Sequence, residues 1–251
     1  MPTRRRPSKS SRKPRALSNA QKKQTRTIAK STIISLAETK VKGYQSPGSP
    51  TIPAQALFHN QPYYAGKLLG IEQGTKDSND YSSNECRIGD SILLRSINVR
   101  VLLSGFRPNI TYKLVLFWYP EGMTIDNALV YFTNGTPIGG CKLLDRYNTE
   151  QISVIDQKIV RPGAINRQGD AGNTPPPAVP LPTATYYQRR SQLVQLNGRW
   201  KAKKITYDEA STSPKFKNLG WAMVAYDSVN TLQTDQLAEV VTDYKIRFKD
   251  I

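Results

Sequence analysis

Along residues 96–101 apolar and polar positions alternate strictly. Ile97, Val99, Val101 and Leu103 fall on one side of an extended backbone, and Ser96, Asn98 and Arg100 on the other. A period of two predicts a strand with one buried face. After the breaker SGFRPN, residues 111–119 are apolar on both sides, as expected of a central strand covered above and below. Together these runs, within residues 87–120, are the expected centre of an antiparallel β body.

Five further runs read as strands. Residues 31–42 (STIISLAETKVK) would open the body, and residues 152–160 (ISVIDQKIV) add another strand. Residues 186–208 form either one long strand bent near Asn197-Gly198 or a hairpin there. Residues 219–227 (LGWAMVAYD) are nearly all apolar and central. Residues 240–251 place Tyr244, Ile246 and Phe248 inward and Lys245, Arg247 and Lys249 outward.

The connections are equally marked. Residues 43–53 hold glycines and prolines and form a loop, and residues 54–74 predict a short helix or an irregular wall segment. In residues 121–132 a short helix is expected, with Thr124 as its cap and Asp126 in its first turn. Residues 161–184 carry Gly163, Gly169, Gly172 and six prolines, so they cannot pair in a central sheet and must be a long surface loop. Strands in this number and spacing predict an all-β fold, a single eight-stranded jelly-roll sandwich over residues 31–251. A chain of 251 residues buries a core of that size as one domain.

Charge changes the picture at the N-terminus. Residues 1–30 contain Arg4, Arg5, Arg6, Lys9, Arg12, Lys13, Arg15, Lys22, Lys23, Arg26 and Lys30 and no acid. Of the formal net charge of +17, those 11 leave 17 − 11 = +6 on residues 31–251. Prolines at 2, 7 and 14 and almost no large apolar side chain before Ile28 leave nothing to offset the entropy of ordering. A disordered arm is expected, with some helical tendency over residues 16–30 and Ser18 as a cap. Arginine forks and lysine point charges without acids suit a phosphate backbone. The clusters RRRPSK and SRKPR would serve equally as an address for host import receptors. A second basic patch, Arg199, Lys201 and Lys203, shares one face of its strand beside Trp200, which is the candidate for base stacking.

Catalytic and metal chemistry find little support. No phosphate-binding loop, GxGxxG, HExxH or GxSxG occurs, and the single histidine, His59, suits a structural role. No enzymatic activity, cofactor or metal is expected. Asp77, Asp80 and Glu85 lie in one polar loop, but their spacing fits a solvated loop better than a calcium site. Cys86 and Cys141 lack CxxC spacing and read as two free thiols. No apolar run spans a bilayer, and the basic N-terminus lacks the apolar core of a secretory signal, so membrane insertion is not expected.

The pattern RIGDSILLRSINV, followed by YKLVLFW, resembles capsid proteins of circular Rep-encoding single-stranded DNA viruses, the circovirus-like group, whose coats share a jelly roll with that of satellite tobacco necrosis virus. The region from Asp145 to Tyr147 and the strand after it resemble the same family. The resemblance implies sixty copies in an icosahedral shell, a basic arm against packaged single-stranded nucleic acid, and residence in the virion and, during assembly, the host nucleus. Only the resemblance favours circular DNA as cargo, since backbone neutralisation serves either nucleic acid. The competing reading is a cellular nucleic-acid-binding protein with a β-rich body and a basic tail. An extracellular lectin fits the tail poorly.

Overall fold

A computed structural model describes residues 18–37, 39–46, 55–74, 85–106, 109–132, 140–161, 190–228 and 232–250. The chain divides into two compact units at the junction of Ala37 and Glu38. The first contains the helix α1 (Asn19–Leu36). The second is built almost wholly from antiparallel strands.

Among the described residues the body holds nine strands: β1 (Thr39–Ser46), β2 (Gln55–Phe58), β3 (Pro62–Ala65), β4 (Ser91–Gly105), β5 (Ile110–Pro120), β6 (Ser153–Val160), β7 (Arg190–Thr206), β8 (Lys217–Asp227) and β9 (Gln236–Asp250). One sheet runs β1-β9-β4-β7, with β2 continuing the β1 edge of β9; the other runs β3-β8-β5-β6. All of these strand pairs are antiparallel.

The main core lies where the inward positions of the two sheets face each other. Ile97, Val99, Val101 and Leu103 of β4 are all buried there, with Val194 and Leu196 of β7 and Ile246 and Phe248 of β9. Tyr112, Leu114, Leu116 and Trp118 of β5 and Leu219, Trp221 and Met223 of β8 meet them. The opposite faces of β5 and β8 are buried as well. Val115, Phe117, Ala222 and Val224 pack under Leu129, Val130, Tyr131 and Ile152, the first two from the short helix α2 (Asn127–Val130). This second layer is why β5 and β8 read as continuously apolar, whereas β4 alternates.

Two buried cations fix the periphery. Lys113 projects into the second layer, where its ammonium donates to the carbonyls of Leu143 (3.1 Å) and Asp145 (2.6 Å) and lies 4.6 Å from the Tyr147 ring centroid. Desolvation by burial pushes its pKa below the ordinary lysine value. Arg87 is completely buried. Its backbone joins Glu72 and Gly74, each at 2.9 Å, and its guanidinium donates to the carbonyls of Gly89, Asp208 (3.3 Å) and Ser211 (2.7 Å) and to Asp90 (3.2 Å) over the Tyr207 ring. One residue thus ties three separate segments together, residues 72–74 through its backbone and residues 89–90 and 207–211 through its side chain.

Several expectations are revised. Residues 31–36 continue α1 and the first strand begins at Thr39, so the strand read over residues 31–42 is helix in its first half. Here TIISLA lies in phase with the helix-forming residues before it, and a short β-branched run is ambiguous by itself. Residues 54–74 hold β2 and β3 rather than a helix; each has only 4 residues, too few to show a period. The α2 cap is Asp126, whose side chain accepts from the Leu129 N–H at 2.8 Å, rather than Thr124. The 186–208 run is one strand from Arg190, without a hairpin. Of the proposed surface loop, residues 162–184 lie outside the described residues, as do Asp77 and Asp80.

Candidate nucleic-acid interface

Arg4, Arg5, Arg6, Lys9, Arg12, Lys13 and Arg15 lie outside the described residues. From Asn19 the arm is helical. Ser18 caps it with a reciprocal pair: its Oγ accepts from the Gln21 N–H at 3.2 Å, and its own N–H donates to Gln21 Oε1 at 2.9 Å. Lys22, Lys23 and Arg26 are exposed and, with Asn19 and Thr27, border one shallow groove; Lys30 follows one turn after Arg26.

This helix is electrostatically unbalanced. Lys22, Arg26 and Lys30 follow one another at i,i+4, with no acid anywhere in the segment. Like-charge pairs at that spacing cost roughly 0.2–0.5 kcal/mol each, and cations near a helix N-terminus oppose the macrodipole. Nucleating an isolated helix is unfavourable, and most helical stability in proteins comes from packing an apolar face. Phosphates along the groove would remove the repulsion, so anion binding and helix formation favour each other.

In the body, β7 carries Arg199, Trp200, Lys201 and Lys203, but they do not share a face. Leu94 pairs with Lys203 and Ser96 with Arg199, leaving Arg95 alone opposite residues 200–202. This bulge reverses the alternation along β7. Arg199 and Lys201 are exposed, whereas Lys203 turns back so that its ammonium lies 3.7 Å from the Trp118 ring centroid. Desolvation there, reinforced by Lys217, lowers the Lys203 pKa. Trp200 packs edge-on to Trp118 at 5.4 Å and over Gly198, where an added Cβ would come within 2.6 Å of its ring. The ring expected to stack on bases is already engaged within the protein.

Strand register assembles a larger basic surface on the outward face of the five-stranded sheet. Arg247 of β9 and Arg199 of β7 flank Ser96 in one cross-strand row, and Lys245 lies opposite Asn98 in the next. Beyond the bulge, Leu93 pairs with Lys204 on one side and Lys249 on the other. Arg199, Lys201, Lys204, Lys245 and Arg247 are all exposed. Further along, Arg100 faces Asp243 across β4 and β9, and the next row is apolar: Leu102, 40% exposed, and Leu193, 55% exposed. Lys204, Lys245, Arg247 and Lys249 were not among the sequence candidates. Their outward alternation was readable, but their convergence depends on which strands pair.

His59 is buried; its Nδ1 accepts from the Asp227 N–H at 3.2 Å and its ring packs 4.8 Å from that of Tyr226. Cys86 and Cys141 are free thiols. Among the described residues no group of acidic, histidine or cysteine side chains is arranged to hold a metal, and no helix is long and apolar enough to cross a membrane. No protein-family model and no curated protein matches the chain.

Proposed function

We propose that this chain is a viral coat subunit: an eight-stranded jelly roll that assembles in many copies into a small icosahedral shell and binds packaged single-stranded nucleic acid through its basic arm. The strand order carries this reading. With β2 set aside as an addition to the edge, the eight principal strands pair first with last, second with seventh, third with sixth and fourth with fifth: β1 with β9, β3 with β8, β4 with β7 and β5 with β6. Such pairing supports a reading as one long antiparallel ribbon folded over into two sheets, as in a jelly roll. A sandwich of paired antiparallel strands, preceded by a segment that holds cations and no acid, suits a repeated subunit that must touch neighbours and cargo at once. The subunit would reside in the virion and, during assembly, in the host nucleus. Its chemistry is recognition and assembly, with no catalytic step.

The test is electron microscopy of the purified full-length protein, with ultraviolet absorbance and nuclease protection of any assembled fraction. Uniform small spherical particles with protected nucleic acid are expected. A monomer or dimer across salt and pH refutes the shell and leaves a cellular nucleic-acid-binding protein with a basic tail. Removing residues 1–30 from the coat subunit should abolish most of the protected nucleic acid while the β body stays folded.

A further inference from the structure

We infer that the outward face of the five-stranded sheet is a second nucleic-acid surface, a track for the backbone of an extended single strand that is separate from the arm. The inference deepens the coat-protein reading and rests on its nucleic-acid role. Three observations carry it.

The cations are arranged as well as numerous. Lys245, Arg247 and Lys249 follow one another at every second residue of β9. Such positions lie roughly 7 Å apart along a strand, comparable with the phosphate-to-phosphate step of an extended polynucleotide. Arg199 and Lys204 run parallel to this line on β7, two strands away and so about 10 Å to the side. A backbone laid along β4 would therefore have cations on both flanks, with Leu93, Arg95, Ser96 and Asn98 between them.

Among the described residues the outward face is open on one sheet only. The outer side of β5 and β8 is covered by Leu129, Val130, Tyr131 and Ile152, whereas these rows on β4, β7 and β9 have exposed side chains. Leu102 and Leu193, half exposed beyond the charged rows, offer apolar surface to unpaired bases, which a duplex would keep stacked inside. Finally, Thr39, the first residue of the edge strand β1, pairs with Lys249 at the charged end of this sheet. The chain that carries the arm therefore joins the body beside the track. In a shell, this face would be turned toward the cargo.

The experiment uses full-length protein and a fluorescent oligothymidylate, with affinity measured across salt. The face variant Arg199→Gln/Lys245→Gln/Arg247→Gln is compared with a control that loses the same charge elsewhere, Lys158→Gln/Lys215→Gln/Lys217→Gln. Each single-strand phosphate contact contributes about 0.7 to the slope of log K against log salt, so the face variant should lose about 2 from that slope. The control should stay near the parent, and ultraviolet crosslinks should map to β4, β7 and β9 as well as to the arm. Equal losses in both variants, or crosslinks confined to residues 1–30, overturn the track while leaving the coat-protein reading intact. Failure of the parent to bind the oligonucleotide at all overturns both. Equal competition by a duplex of the same length, or preferential capture by anionic phospholipid vesicles, refutes the single-strand assignment.

Discussion

Arg87 offers the sharpest test of how the body holds its loops. In Arg87→Met the aliphatic stem is retained and the guanidinium is lost. Two of its contacts are short and charge-assisted, to the carbonyls of Gly89 and Ser211. Hydrogen bonds of that kind contribute roughly 1.5–3 kcal/mol each. The Asp90 carboxylate is 58% exposed, so that ion pair adds little. Stacking over Tyr207, with the guanidinium 4.5 Å from the ring centroid, adds about 1–2 kcal/mol in a desolvated setting. Removing a buried charge recovers part of its desolvation, which brings the expected net loss to about 3–5 kcal/mol. For a body of this size that lowers Tm by about 6–20 °C. Urea unfolding below the assembly concentration, followed by tryptophan fluorescence and circular dichroism, measures it. Arg87→Lys should recover less than half of the loss, because one ammonium cannot span Gly89 and Ser211 together. A Met variant within about 3 °C of the parent would refute the view that this side chain clamps residues 89–90 to residues 207–211.

Gly198→Ala should cost about 1–3 kcal/mol in the same assay and shift the tryptophan emission, because the new methyl would fall 2.6 Å from Trp200, 3.0 Å from Ile97 and 3.2 Å from Ile155. Alkaline pH should destabilise the body steeply. Burial holds the phenols of Tyr112, Tyr131 and Tyr207 above the ordinary tyrosine range. Above about pH 10 the unfolded chain therefore binds fewer protons than the folded one, and stability falls as pH rises. Three such groups give a slope of about 4 kcal/mol per pH unit. The depressed Lys113 and Lys203 pKa values act in the opposite sense, but they are two groups against three. Denaturant titrations between about pH 9 and 11, with tyrosinate absorbance as a second readout, decide it; a flat profile contradicts the burial of these hydroxyls.

Much of the sandwich was legible wherever a single burial condition held along a whole strand. β4 buries one face and alternates, β5 and β8 bury two and do not, and β9 places Ile246 and Phe248 inward as its period requires. Legibility failed where a residue's partner lies far away in sequence. The bulge opposite Arg95 is a property of the β4 and β7 pairing, so nothing local to β7 reveals that Lys203 turns onto Trp118. Lys113 sits within an apolar run, and only the segment from residue 142 to residue 145 supplies its carbonyl partners. Arg87 reads as one more loop cation until Ser211 is brought beside it. The sheet-face cations were individually predictable as outward, but adjacency, and so the surface itself, exists only once β9 lies next to β4.

The pairing of β1 with β9 has a consequence for synthesis. Thr39 has its register partner at Lys249, 210 residues later (249 − 39) and two residues before Ile251. While the ribosome is still working, the first strand has no place to dock, and the basic segment ahead of it emerges long before the sheet that will anchor it. The sandwich closes only after the last strand has left the exit tunnel. A chain that stops before residue 249 therefore cannot complete its edge, and closure of this one strand pair makes translation through β9 a precondition for a finished body.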